Sequence, residues 1–201
     1  MLKVISIGDG AVTMSGDVII GVAARTGWAV AIALGGTGGV PRFAARREIE
    51  LATAELPGQP YHVAAGMALG AAEELIGQVE RFAEQAAADA LRALAGELAA
   101  GPAGGSTVGG VAVVVKPVAL PESVAAALRS HAWMHAAEGV LYREALLAGA
   151  RSNGWRAHAV EESGLPAAEQ ALAELGGAAG RPWRRYEKDA ARAALTLLAS
   201  Q

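Results

Sequence analysis

The chain has 201 residues, of which 53% are hydrophobic and 18% are charged. This composition excludes a largely disordered chain and predicts one folded domain over residues 1–201. The formal net charge of −3 at pH 7 excludes a protein that coats nucleic acid by overall charge, while a local basic patch stays compatible with it. Cysteine is absent, which excludes disulfides, thiolate metal sites and a cysteine nucleophile.

The N-terminal segment lacks the unbroken apolar run of a signal peptide, and no run in the sequence approaches the roughly 18 apolar residues of a membrane helix. We therefore expect a cytoplasmic protein with no membrane partner. Residues 1–16 are expected to form either an added edge strand or a loose arm.

The first part of the chain has the pattern of three strands. Residues 17–34 are rich in β-branched side chains and are interrupted at residues 24–27, which predicts two strands joined by a tight turn. Residues 41–52 alternate apolar and polar side chains, which predicts a third, partly exposed strand. The glycine-rich residues 35–39 lack the Lys-Ser/Thr end of a phosphate-binding loop, so they predict a turn between strands.

The rest of the chain alternates between helical periodicity and short apolar runs. The predicted elements are a helix over residues 61–100 with a break near residues 66–70, a strand over 108–116, a helix from Pro121 to about residue 150, a strand over 155–160 and a helix over 183–200. Strands that are each reached through a helical crossover are expected to be parallel. The predicted fold class is α/β, with a mixed sheet of three antiparallel strands followed by two parallel strands and with helices on both faces.

This element order, together with the hairpin sequence IIGVAARTGWAV over residues 19–30, resembles the ribonuclease H-like superfamily and, within it, the RuvC-type Holliday-junction resolvases. Their first hairpin reads as an aliphatic pair, Gly, an aliphatic residue, Asp, a short turn, Thr-Gly and an aromatic residue. By element order the resemblance covers about residues 17–200, and by motif it covers the hairpin. It implies a ribonuclease H-like fold, a nucleic-acid partner and nuclease chemistry.

The resemblance also implies a site that this sequence only partly retains. Nucleases of the superfamily hold two divalent ions on carboxylates from the first strand, the fourth strand and the last helix, because two ions about 4 Å apart clamp the attacking and leaving oxygens. Here Ala23 stands at the first-strand position, and residues 108–116 contain no acid. Glu187 and Asp189 in the last helix are the remaining candidate catalytic acids. We therefore expect the two-metal site to be incomplete.

A second group of polar residues lies in the predicted helix after Pro121. His131, His135 and Glu138 share one helical face, which makes them candidate catalytic residues. Seven residues span roughly 10 Å of helix, so His131 and Glu138 cannot both bind one ion. A divalent metal would need His131 with His135, or His135 with Glu138, and His62 is the obvious further ligand. The predicted metal set is His62, His135 and Glu138, and hydrogen bonding across a helix interface or proton transfer are the alternatives.

The remaining candidates are cationic. Lys116 ends the predicted buried strand, so it would project at the carboxyl edge of the sheet as an anion contact or a catalytic amine. Basic residues in two segments are candidate contacts to nucleic-acid phosphates, and in the second segment aromatic side chains are interleaved with them. These residues are Arg42, Arg46, Arg47, Arg184, Arg185 and Lys188.

The preferred hypothesis is a nucleic-acid-associated protein of ribonuclease H-like fold that lacks the standard two-metal nuclease site. One alternative is a small-molecule or metal-dependent hydrolase that uses the histidines, and another is a non-catalytic interaction protein or homodimer. If the protein is an enzyme, we expect a nuclease or another hydrolase. Convergence of His62 with the helix histidines would favour the hydrolase, and convergence of the arginines on one open face would favour nucleic acid.

Overall fold

A mixed five-stranded sheet forms the centre of the protein, and a computed structural model describes it over residues 17–37, 40–101 and 105–200. The strands are β1 (Asp17–Arg25), β2 (Trp28–Thr37), β3 (Val40–Glu50), β4 (Thr107–Val115) and β5 (Ala157–Glu161). The edge strand or arm expected over residues 1–16 lies outside the described residues.

The sheet order is β3-β2-β1-β4-β5. The pairs β1/β2 and β2/β3 are antiparallel, whereas β1/β4 and β4/β5 are parallel. The expected arrangement of three antiparallel strands followed by two parallel strands is confirmed. Because β1 is central and parallel to β4, the carboxyl ends of these two strands meet at one edge of the sheet.

Six α-helices lie in the described part of the chain. They are α1 (Pro60–Ala64), α2 (Leu69–Ala100), α3 (Val124–Ala127), α4 (His131–Ser152), α5 (Glu169–Ala179) and α6 (Arg185–Leu198). The chain breaks between α1 and α2, as the sequence predicts. None of these helices is both long and apolar enough to span a bilayer.

One predicted helix was wrong in its extent. The single helix expected from Pro121 to about residue 150 is split into α3 and α4. The Ser123 hydroxyl accepts a hydrogen bond from the Ala126 backbone N–H and caps α3. Ser130 then takes an extended backbone conformation (φ −137°, ψ 123°), which interrupts the helix and sets the start of α4 at His131. Serine is suited to such a boundary because its side chain competes with the helical hydrogen bonds.

Helices cover both faces of the sheet because β1 is apolar on both faces. Val18, Ile20 and Val22 are buried in the larger core with α2 and α4, and Ile19 and Ala23 are buried in a second core with α6. Successive side chains of a strand point to opposite faces, so a strand buried on both sides has to be apolar at nearly every position. This arrangement confirms the expected helices on both faces.

Gly21 sets the distance between β1 and α6. A Cβ atom at this position would lie 1.8 Å from the Ala190 carbonyl oxygen and 2.8 Å from the Ala194 backbone nitrogen. Both atoms belong to the backbone of α6, so they cannot move aside as a side chain could. The helix therefore packs directly on the strand backbone, and this contact fixes α6 against the centre of the sheet.

We expect Gly21→Ala to lower the free energy of unfolding by about 3 kcal/mol, because α6 must shift to make room for one methyl group. The matched control is Gly110→Ala in β4, where the nearest atom to an added Cβ would be the Arg156 carbonyl oxygen at 3.4 Å. Urea denaturation of the two variants measures the difference. Equal losses of stability would contradict direct packing of α6 on β1.

Candidate histidine centre and adjoining cleft

Three histidines meet where α1 packs on the first turns of α4. His62 Nε2 lies 3.3 Å from His131 Nδ1, and His131 Nε2 lies 3.1 Å from His135 Nε2. The ring centroids are 4.3–4.9 Å apart. His62 is partly buried, whereas His131 and His135 are exposed to solvent. Residues from two separate helices thus form one cluster of imidazole nitrogens that opens to the surface.

Glu138 lies behind this cluster and is only 1% exposed. Its Oε1 atom accepts hydrogen bonds from His62 Nδ1 at 2.8 Å and from the His62 backbone N–H at 3.3 Å. Its Oε2 atom is buried with no hydrogen-bond partner, and it lies 3.8 Å from His135 Nδ1. A buried carboxylate oxygen without a partner is costly in free energy, so it marks a place where a donor is missing.

Two tyrosines next to this carboxylate respond to its charge. Burial raises the pKa of Tyr142, and the negative charge of Glu138 raises it further. Burial also raises the pKa of Tyr61, to which the charges of Glu80 and Glu138 add. Both phenols therefore stay protonated in the neutral range, and the Tyr142 hydroxyl donates a hydrogen bond to the Gly58 carbonyl oxygen at 2.8 Å.

The arrangement has the donor set of a metal site. His62, His131 and His135 each offer one nitrogen, and these nitrogens lie within 4.8 Å of one another. Of the metal set expected from the sequence, His62 and His135 belong to this group of nitrogens. Glu138 lies on the other side of their rings, next to the Nδ1 atom of each. His131 contributes the third nitrogen in its place.

A cleft of about 260 Å³ opens at the carboxyl edge of β1 and β4. Ala23 lies two residues before the end of β1, Lys116 follows β4, and Asp189 belongs to α6. The cleft also reaches two residues of α4, Gly139, which directly follows Glu138, and Tyr142, which lies four positions after Glu138. Because Tyr142 shares a helical face with His131 and His135, the cleft and the histidine cluster lie along the same side of α4.

Positive charge exceeds negative charge in this cleft. The cations that line it are Arg25, Lys116, Arg143 and Arg185, and the carboxylates are Glu162 and Asp189. Arg185 forms ion pairs with both carboxylates, and its hydrogen bond to Glu162 raises its pKa. This leaves more cationic than anionic groups facing the cleft.

Arg143 is held in place by the cleft walls. Its guanidinium donates hydrogen bonds to the carbonyl oxygens of Lys116, at 3.1 Å, and Gly139. Burial lowers the pKa of Arg143, while the charges of Glu162 and Glu144 act in the opposite direction.

No protein-family model and no curated protein matches this chain. Among solved structures, Thermus thermophilus RuvC in complex with a Holliday junction substrate matches with a TM-score of 0.51 and 15% identity, over 90% of this chain and 91% of that one. The chain has the ribonuclease H-like fold of the RuvC type. A second Thermus thermophilus RuvC structure matches with a TM-score of 0.47 and 15% identity, over 89% of this chain and 92% of that one.

Because the fold is of the RuvC type, Glu187 and Asp189 can be compared with the carboxylates expected of a two-metal site. Asp189 is in the cleft, but its Oδ1 atom accepts a hydrogen bond from Arg192 at 3.1 Å and its Oδ2 atom lies 3.5 Å from Arg185. Glu187 is outside the cleft lining, and its side chain accepts a hydrogen bond from the Arg184 backbone N–H at 2.9 Å. Glu187 therefore caps the first turn of α6.

The basic residues proposed from the sequence are spread over the RuvC-type fold. Arg46 donates to carbonyl oxygens in the segment between α5 and α6, whereas Arg47 forms an ion pair with Glu97 on α2. These contacts lie on opposite faces of the sheet. Arg42 and Arg184 are exposed, and Lys188 is partly buried. Of the six, only Arg185 lines the cleft.

Three charged residues of the cleft were missed by the sequence analysis, namely Arg25, Arg143 and Glu162. Arg25 is the last residue of β1, so the rule that placed Lys116 at the carboxyl edge would also have placed Arg25 there. Arg143 follows the candidate face of α4 by one residue, and no local pattern indicates its hydrogen bond to Lys116. Glu162 begins the single turn of 3₁₀-helix after β5.

We expect Arg46→Ala to lower the free energy of unfolding by about 1–2 kcal/mol, because its guanidinium donates to the carbonyl oxygens of Arg181, at 3.1 Å, and Pro182, at 2.5 Å. Arg42→Ala on the same strand is the control and should change stability by less than about 0.5 kcal/mol, since Arg42 is exposed. Chemical denaturation compares the two variants. A neutral Arg46→Ala would contradict a structural role for this arginine.

Proposed function

We propose that the protein binds nucleic acid at the cleft and holds backbone phosphate with side-chain cations. The observation that carries this proposal is the excess of cations in the cleft of a chain whose formal net charge is −3. A positive cleft in an otherwise acidic protein attracts polyanions locally. The RuvC-type fold supports the same partner, because the matched RuvC structure is a complex with a Holliday junction substrate.

Two cations are available to a ligand. Lys116 is exposed, and its ammonium forms no ion pair within the described part of the chain. Arg25 is also exposed, and its guanidinium lies 6.0 Å from the ring centroid of Trp28 and 5.6 Å from that of Tyr186. An arginine beside aromatic rings can contact phosphate while the rings contact sugar or base. Lys116 and Arg25 are therefore the proposed phosphate contacts.

We further infer that this cleft does not hold the pair of divalent cations that the RuvC resemblance implies. The β1 position is Ala23, which offers no ligand, and the residue after β4 is Lys116, whose ammonium would repel a cation. The carboxylate of Asp189 is already shared between Arg185 and Arg192. The donor set of the cleft therefore suits an anion better than two metal ions.

We expect Lys116→Gln and Arg25→Gln to weaken binding of a four-way DNA junction and of duplex DNA, measured by fluorescence anisotropy between about 50 and 200 mM salt. If each side chain contacts one phosphate, each substitution should reduce the slope of log affinity against log salt by about 1. A difference between the two DNAs would identify a preference for shape.

The matched control is Arg151→Gln, which removes one positive charge from an exposed residue at the far end of α4. It should leave the salt slope nearly unchanged. An equal effect of Arg151→Gln and Lys116→Gln would mean that only overall charge matters, which would overturn the proposal of a binding cleft.

A second candidate function is metal-dependent hydrolysis, and the convergence of His62 with His131 and His135 favours it. Metal-bound water is a nucleophile at neutral pH, and hydrolysis adds one water across an ester, amide or phosphoester bond. We expect any hydrolysis of chromogenic esters or phosphoesters in the presence of zinc to be lost in His135→Ala. Activity that persists in this variant would place the hydrolytic site elsewhere.

A further inference from the structure

We propose that His62, His131 and His135 bind one zinc ion, that Glu138 positions the rings of His62 and His135 from behind, and that the fourth position of the ion is open to water. This inference deepens the hydrolase candidate, because it specifies the metal, its ligands and the residue that orients them. It is independent of nucleic-acid binding at the cleft.

The three rings lie close enough together for one nitrogen of each to bind a single ion. Two ligands at the usual zinc–nitrogen distance of about 2.0–2.1 Å lie about 3.3 Å apart in tetrahedral geometry. The 3.3 Å contact to His62 uses His131 Nδ1, and the 3.1 Å contact to His135 uses His131 Nε2, so only one of them can be a distance between two ligands. With one nitrogen taken from each ring, the three lie within 4.8 Å of one another, and the rings would turn toward the ion to reach the tetrahedral spacing. Imidazole is a common zinc ligand, and a set of three histidines is typical of zinc sites that keep an exchangeable water. The exposure of His131 and His135 leaves room for that water.

The protonation of the rings supports the same assignment. Because Glu138 Oε1 is an acceptor, His62 must carry its proton on Nδ1 to make the 2.8 Å hydrogen bond. With that hydrogen bond made through Nδ1, Nε2 is the His62 nitrogen that faces the cluster and is available to a metal. Hydrogen bonding of the remote nitrogen to a carboxylate is the usual way in which proteins fix the orientation of a metal-binding histidine.

The buried Oε2 atom of Glu138 is explained by the same chemistry. If His135 binds the ion through Nε2, its proton moves to Nδ1, which lies 3.8 Å from Oε2. A small shift of the His135 side chain would then give Oε2 the donor that it lacks. One carboxylate would hold two metal ligands, with each of its oxygens bound to a different Nδ1–H.

A bound cation would balance the charge of the buried carboxylate. Glu138 is 1% exposed, and its ion-pairing partners within the described residues are His62 and His135. A histidine compensates a carboxylate only when it is protonated, and a buried carboxylate is costly when unpaired. A zinc ion on the other side of the same rings supplies positive charge within reach of Glu138.

A purely structural cluster of three histidines makes a different prediction. Three neutral rings can pass hydrogen bonds from His135 through His131 to His62 and on to Glu138, which would account for the short nitrogen contacts. That chain leaves Nδ1 of His135 without a proton, so Oε2 of Glu138 stays without a donor. Zinc affinity separates the two interpretations.

The test is zinc titration of the full chain after treatment with a chelator, by calorimetry or by competition with a chromophoric chelator. We expect one zinc per chain, a rise in melting temperature with zinc, and four-coordinate visible absorption when cobalt(II) replaces zinc. His131→Ala and His135→Ala should abolish stoichiometric binding. The control is His158→Ala, which removes the one other histidine of the sequence, an exposed residue of β5.

Glu138→Gln tests the positioning role. Glutamine keeps one oxygen that accepts the hydrogen bond from His62, but its amide NH2 group cannot accept a hydrogen bond from His135 Nδ1–H, so zinc affinity should fall about 10–100-fold. The metal-free variant should melt at the same temperature as the wild type or higher, because a buried charge is removed. A residue with only a structural role would not produce a loss of affinity without a loss of stability.

The absence of stoichiometric zinc binding in the wild type, or an equal loss in His158→Ala and His135→Ala, would overturn the zinc site. Unchanged zinc affinity in Glu138→Gln would overturn the role of Glu138. Binding with the expected pattern of variants, but without hydrolysis of any ester, amide or phosphoester, would retain the zinc site and reject the hydrolase candidate.

Discussion

A deeply buried carboxylate whose ion-pairing partners are histidines is the central constraint on the candidate site. Glu138 lies in the core with the side chains of Tyr61 and Tyr142, and burial together with its charge keeps both phenols protonated. Its hydrogen bonds to the side chain and backbone of His62 hold α1 against α4. The position of His62, and through it the position of the whole histidine cluster, follows from how this one charge is accommodated.

The sheet brings the second chemical feature next to the first. The parallel pair β1/β4 directs the ends of both strands to one edge, and the close approach of α6 at Gly21 carries Asp189 to that edge. Helix α4 runs past the same edge, with the histidines in its first turns and Tyr142 further along. Seven residues separate His135 from Tyr142, which corresponds to about 10 Å of helix. A ligand that contacts Tyr142 in the cleft would therefore lie about this far along α4 from His135.

Much of this fold could be predicted from the sequence because its determinants are local. The strands are indicated by the alternation of apolar and polar residues, by the apolar run of β4 and by the turn at Gly27. The helical crossover connections indicate which strands are parallel. The RuvC-type fold inferred from the element order together with the first hairpin is confirmed. The split of the predicted helix before His131 was missed because it depends on Ser130 taking an extended conformation, which an alanine-rich helical pattern hides.

The candidate site was harder to predict because its contacts join distant parts of the chain. His62 and Glu138 are 76 positions apart, and the sequence grouped them as joint metal ligands, but the pattern on α4 does not show that they hydrogen-bond to each other. The separation of Arg46 from Arg47 was accessible in principle, since neighbours on a strand point to opposite faces. The sequence does not show what each arginine contacts. Arg46 donates to carbonyl oxygens after α5, and Arg47 forms an ion pair with Glu97.

The shortness of α1 has a consequence for how the site persists in solution. A helix of five residues has too few backbone hydrogen bonds to remain helical by itself, so its conformation depends on contacts with α2 and α4. His62 of this helix contacts Glu138 on α4, and Gly58, two residues before the helix, accepts a hydrogen bond from Tyr142. Local opening of this segment would remove His62 from the cluster while the sheet stayed intact. The histidine cluster thus forms where a helix of low intrinsic stability, α1, packs on the more stable α4. A ligand that binds residues of both helices would determine how long the cluster stays assembled.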